Sequence, residues 1–289
     1  MGEDSTRRVT RRDLLRTVAA GTAASVGAGT AAGYHKGYAG VIETRGQYGI
    51  RLLSGVTLKP GYTRTGYKTE EPIPGLTTDD SPSELVVFVH RYGLGLERSR
   101  EAFRAVNDAL RGVDYADELV GYSWDSDLGK WWSRMDAAEK NGAKLAAFVR
   151  DYRRLSPGTT LRVIGHGFGV VTVAEALANF ADAGDGTTID TVDVLGAAID
   201  DGSVALGDAY GRAIADHCGA FRSYYKTDDE FLGSKYPWHE WDHALGREGA
   251  TGDSPGNYAE YDVTDAVASH DSYHRPETGC VDRVVANWD

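Results

Sequence analysis

The sequence predicts an α/β fold: one doubly wound, mostly parallel sheet flanked by helices. Three observations carry that expectation. Short continuous apolar runs recur along the chain, each ending at a polar or glycine-containing loop, as strands buried on both faces do. Segments with apolar residues at helical spacing lie between those runs. The chain has 289 residues and no internal repeat, which suits one such domain with a substantial core.

Taken in order, residues 40–80 are rich in Tyr, Thr and Gly, with short β-prone pieces such as "YGIRLL". They predict irregular or antiparallel strands. From Glu84 the texture changes. "ELVVFVH" is the first buried strand, and Phe103, Val106 and Leu110 then repeat at i, i+3 and i+7, the spacing of one helix face. "DELVGYSW" is the next strand. A long helix follows with Leu145, Phe148, Val149 and Tyr152 on one side, and "SPG" at 156–158 ends it. "TLRVIGH" is a third strand, and its helix carries Val170, Val171, Ala174, Leu177 and Ala178 in one stripe. "IDTVDVLGAAID" and "GAFRSYYKT" are two further strands, separated by the helix-like "VALGDAYGRAIADH". Strands alternating with helices predict parallel pairing.

The first residues read as an address. "TRRDLLR" at 10–16 sets two arginines before a polar, apolar and basic run, and an uncharged Ala/Gly/Thr/Val stretch extends from Thr17 to Gly33. That is the layout of a twin-arginine export signal. Its many glycines suit a membrane span poorly, and cleavage near Ala32 is expected. Residues 1–32 are therefore assigned to the signal and 33–289 to a single domain, with strands and loops over 33–83 and the core over 84–275. The expected product is secreted or displayed at the cell surface, with no membrane span after cleavage.

The formal charge is −12. Residues 1–32 hold five arginines against Glu3, Asp4 and Asp13, so the remainder stands near −14. With 28 Asp and 15 Glu against 23 Arg and only 8 Lys, this surface repels nucleic acid and anionic membranes. The composition resembles that of proteins from salt-loving archaea, in which molar salt screens the repulsion. Cys218 and Cys280 are either one disulfide or two separate buried thiols.

Four stretches carry chemistry, in the order "VVFVHRYG", "IGHGFG", "YYKTDDEFL" and "ASHDSYH". Together they resemble the α/β-hydrolase superfamily, whose lipases and esterases place a nucleophile in G-x-S-x-G between strand and helix, then an acid, then a histidine. The resemblance implies Asp229 as the acid, with Asp228 adjacent, and His270 as the base, with His274 competing. It also implies the Tyr92 and Phe168 N–H groups as oxyanion donors, and no cofactor. Two positions depart from the pattern. Arg91 stands where glycine is common, and Gly167 replaces the nucleophilic serine. Glycine tolerates the strained turn but carries no attacking oxygen.

The implied function is that of an exported relative of carboxylic-ester hydrolases, impaired in acyl transfer and suited to binding a small acyl or aromatic ligand. Trp131, Trp132, Trp238 and Trp241 are its candidate pocket or lid aromatics. One alternative is an active ester hydrolase in which His270 and Asp229 activate water. The other is a zinc peptidase, because His239-Glu240-x-x-His243 spells H-E-x-x-H. On one helix the two histidines of that motif would share a face, with Glu240 as base.

Overall fold

The computed structural model describes residues 37–51 and 55–288. The expected export signal lies outside them. Eight strands form one sheet in the order β10-β9-β8-β7-β5-β6-β1-β4. These are β1 (Gly40–Glu43), β4 (Lys68–Glu70), β5 (Glu84–Val89), β6 (Glu118–Ser123), β7 (Thr160–His166), β8 (Ile189–Leu195), β9 (Cys218–Tyr225) and β10 (Tyr258–Asp262). All neighbours are parallel except β1 and β4. β2 (Tyr48–Arg51) and β3 (Gly55–Leu58) form a separate antiparallel pair.

The central strand shows why the sheet is covered on both sides. Leu85, Val87 and Val89 of β5 join the apolar cluster that includes α2 (Trp131–Leu155) and α3 (Gly169–Ala183). Val86 and Phe88 point the other way, into a cluster with α1 (Leu96–Arg111) and α7 (Val281–Val285). A continuous apolar strand thus supplies two cores, one from each alternate face.

The order of strands also fixes where a site can form. From β5 the chain moves outward to β6, then returns to place β7 on the opposite side of β5. The loops after β5 and β7 therefore diverge and leave a crevice at the carboxyl ends of the two strands, the usual ligand position in such sheets. Gly169 draws α3 tightly onto this edge, since a Cβ there would lie 2.3 Å from the Val89 carbonyl oxygen.

Two local expectations need correction, and one pair of alternatives is decided. Residues 40–80 are not all antiparallel or irregular, because β1 pairs in parallel with β6 and extends the main sheet. "VALGDAYGRAIADH" is helical only in α4 (Gly211–His217). Its first half makes turns, with the Leu206 N–H donated to Asp253 and the Tyr210 N–H to Ser203. Cys218 and Cys280 are both free thiols. They are buried in clusters on opposite sides of the sheet, which keeps them apart. Among the described residues, no helix is long and apolar enough to cross a membrane.

Candidate active site

β7 runs into a tight turn at Gly167, and α3 leaves two residues later. Gly167 has φ +55°, a left-handed conformation that favours glycine. Its N–H is donated to Leu195 at 3.0 Å, and its carbonyl accepts from Val170 at 3.1 Å and Ala198 at 3.3 Å. The corner is thus held from three sides.

Asp229 and His270 converge on that corner. Asp229 follows β9 and caps α5 (Glu230–Glu240), where its Oδ1 accepts the Leu232 N–H at 3.0 Å. Its Oδ2 accepts from His270 Nδ1 at 2.9 Å and from the Tyr273 hydroxyl at 3.3 Å. Asp229 is 1% exposed and His270 5% exposed, so this bond is shielded from water. A proton on Nδ1 facing a carboxylate leaves Nε2 as the acceptor, the tautomer a general base requires. Among the described residues that Nε2 is buried without a partner, and a Cβ built on Gly167 would lie 3.2 Å from it.

The competing residues are placed elsewhere. Asp228 is exposed and pairs with Lys226, which lowers its pKa. His274 packs against Phe88 and His166 and makes no bond to Asp229. Burial holds its pKa down, to about 3. The arm of Arg91 swings away from the corner, reaching Asp271 at 3.0 Å and the Tyr92 carbonyl at 3.1 Å. Its Cβ stays close, 3.2 Å from the same built Cβ on Gly167. Tyr92 follows Arg91 in the loop after β5, and Phe168 lies between Gly167 and the first residue of α3.

Aromatic rings wall this corner. Tyr92 lies 5.0 Å from Phe168 and 5.1 Å from Phe231, Trp131 meets Phe168 edge-on at 4.7 Å, and Phe231 stacks on the His270 imidazole at 4.5 Å. A cavity of about 410 Å³ reaches His270 beside Phe231, Lys226, Asp228, Ser269 and Asp271. Of the four tryptophans, only Trp131 belongs to the wall. Trp132, Trp238 and Trp241 are 64%, 77% and 91% exposed.

The zinc motif does not form. α5 ends at Glu240, and Trp241 takes a left-handed φ of 60°, so His243 lies beyond the helix carrying His239. His239 stacks on Trp131 at 4.5 Å, and Glu240 accepts the Trp131 indole N–H. His243 is exposed. Among the described residues, no group of three or more His, Cys, Asp or Glu is arranged to hold a metal ion.

Sequence reasoning missed His166 and Phe231. The His166 ring turns under the loop of the base and donates its Nε2–H to the His270 carbonyl at 2.8 Å. Burial holds the His166 pKa well below the ordinary histidine value. Phe231 sat inside a quoted motif, but nothing in the spacing indicated stacking on the base.

These features are those of an α/β-hydrolase fold with a glycine at the elbow. A family model described as "Alpha/beta hydrolase" matches residues 98–198. No curated protein matches. Among solved structures, the catalytic core domain of acetyl xylan esterase from Trichoderma reesei is similar at 13% identity, covering 63% of this chain and 82% of that one, with a TM-score of 0.36. An iodinated acetyl xylan esterase complex is similar at 14% identity, covering 68% and 92%, with a TM-score of 0.37.

Proposed function

We propose that this is an exported, salt-requiring protein of carboxylic-ester-hydrolase ancestry, impaired in acyl transfer, that binds a small acyl or aromatic ligand at the Gly167 corner. One observation carries the reading: the unpartnered Nε2 of His270 is aimed at a glycine. The His270–Asp229 hydrogen bond beside Gly167 supports a base with its orienting acid, while the sequence has no hydroxyl at the position that should attack. In serine hydrolases, losing the nucleophile costs about 10⁶ in kcat. A residual of about 10³–10⁴ over water comes from the oxyanion hole and binding.

The aromatic wall supports an apolar ligand, with Phe231 half-buried and stacked on the His270 ring. The same free Nε2 supports a second reading, weak direct hydrolysis by a water that His270 deprotonates.

The test is turnover of short-chain aryl esters in high salt. The parent is expected to give slow, chelator-insensitive hydrolysis without a burst, and Gly167→Ser to exceed it by orders of magnitude. Brisk turnover by the parent would overturn the impairment, and its loss on chelation would return the metal reading.

A further inference from the structure

On the far side of Arg91 from the elbow lies a cavity of about 290 Å³, between α1 and the loop after His270. Arg91, Arg98 and Arg275 line it, with Asp271, Glu101 and His274. In a chain of net charge −12 this is an unusual concentration of guanidinium groups. Three face two carboxylates, and Asp271 is already bonded to Arg91 at 3.0 Å. Among the described residues, Arg98 has no ion pair or hydrogen bond. Two buried polar groups of lining residues also lack a partner among the described residues: Nε of Arg91 and Nδ1 of His274, the latter on a ring only 4% exposed. The three arginines stand close enough that Arg98 and Arg275 both disfavour the charge on Arg91, whose pKa burial already lowers.

Arg91 is paired with Asp271 and Arg275 donates to the Asp271 carbonyl at 3.4 Å, but three guanidinium groups against two carboxylates leave an excess of positive charge that suits an anion. Guanidinium forks match planar or tetrahedral oxyanions, and the pairing strengthens where water is partly excluded. At about 290 Å³ the cavity suits a small guest. We propose that this cavity is a binding site for a small oxyanion, a carboxylate or phosphoryl group gripped by Arg91, Arg98 and Arg275 over the His274 ring. It adjoins the Gly167 corner through Arg91 and Asp271 but does not depend on the ligand proposed there.

The test titrates the full chain with inorganic phosphate and, separately, acetate, each replacing chloride at constant ionic strength. Binding is read by calorimetry and by the imidazole ¹⁵N resonances of His274. One saturable site is expected. Arg98→Gln and Arg275→Gln should each weaken it roughly tenfold or more, as losing one charge-assisted hydrogen bond does. Arg64→Gln, at another cavity, should leave it unchanged. Tighter phosphate binding assigns a phosphoryl guest, and tighter acetate binding a carboxylate guest. If neither anion outcompetes chloride, or if Arg64→Gln weakens binding as much as Arg98→Gln, the site does not exist. The exposed position of Arg98 keeps its variant folded, and a melting curve confirms this.

Discussion

His166 Nε2 donates to the backbone carbonyl of His270 at 2.8 Å, so the strand before the elbow holds the loop that carries the base. Both rings are buried, and their centroids lie 5.3 Å apart. The position of His270 is therefore tied to the residue immediately preceding Gly167.

His166→Phe keeps the ring's bulk and removes that bond. A buried carbonyl left unsatisfied costs about 1–3 kcal/mol. Denaturant titration at neutral pH should show a loss in that range, and His270 ¹⁵N shifts should change with it. Unchanged stability would mean the tie contributes nothing.

Acid sensitivity follows from the same cluster. Burial lowers the pKa of His90 to about 3, of His274 to about 3, and of His166 well below normal. Each folded-state pKa lies below the unfolded value near 6.5, so the unfolded chain binds more protons below that pH. Stability is then full above about pH 6.5 and falls as pH drops toward 3. Asp193 opposes with one proton, because burial raises it to about 6, so its contribution to stability is present below 3.8 and lost as pH rises through about 6. His274→Phe isolates one histidine. Below pH 6.5 its stability curve should be flatter than the parent's by about 1.4 kcal/mol per pH unit. Parallel curves for parent and variant would refute the buried neutral imidazole.

Gly167→Ala measures the strain of the elbow without adding chemistry. A Cβ at φ +55° costs about 1–3 kcal/mol, and here it also meets His270 Nε2 and Arg91 Cβ at 3.2 Å. Melting should fall by about 2–4 °C per kcal/mol while the fold persists. A variant as stable as the parent would show a relaxed turn.

The thiols give a further check. Burial raises the Cys218 pKa to about 12 and that of Cys280 also upward. Both should resist alkylation in the folded protein and titrate as two thiols on unfolding, with melting indifferent to reductant. A disulfide-linked peptide from unreduced protein would contradict the free pair.

What the sequence made legible tracks how strongly each segment is buried. β5, β7 and β8 are apolar runs enclosed on both faces, and they stand where the pattern put them. β10, "YAEYD", gave no such signal because it is an edge strand with no fully buried residue. Asp229 and His270 were legible through chain order, and the structure joins them. His166 was not, because side chains flanking a nucleophile are expected to point away from the site, whereas this one turns under the base's loop. The H-E-x-x-H spelling misled because motif spacing assumes an unbroken helix, and Trp241 ends this one in a left-handed residue.

The central claim is that only a hydroxyl is missing at the elbow. Its most direct test is the mass of the protein after brief exposure to an aryl ester in high salt. Gly167→Ser should gain one acyl group at that position, with a matching burst of aryl alcohol, while the parent and Gly167→Ala gain none. An acylated parent, or a folded serine variant that stays unmodified, would contradict the account.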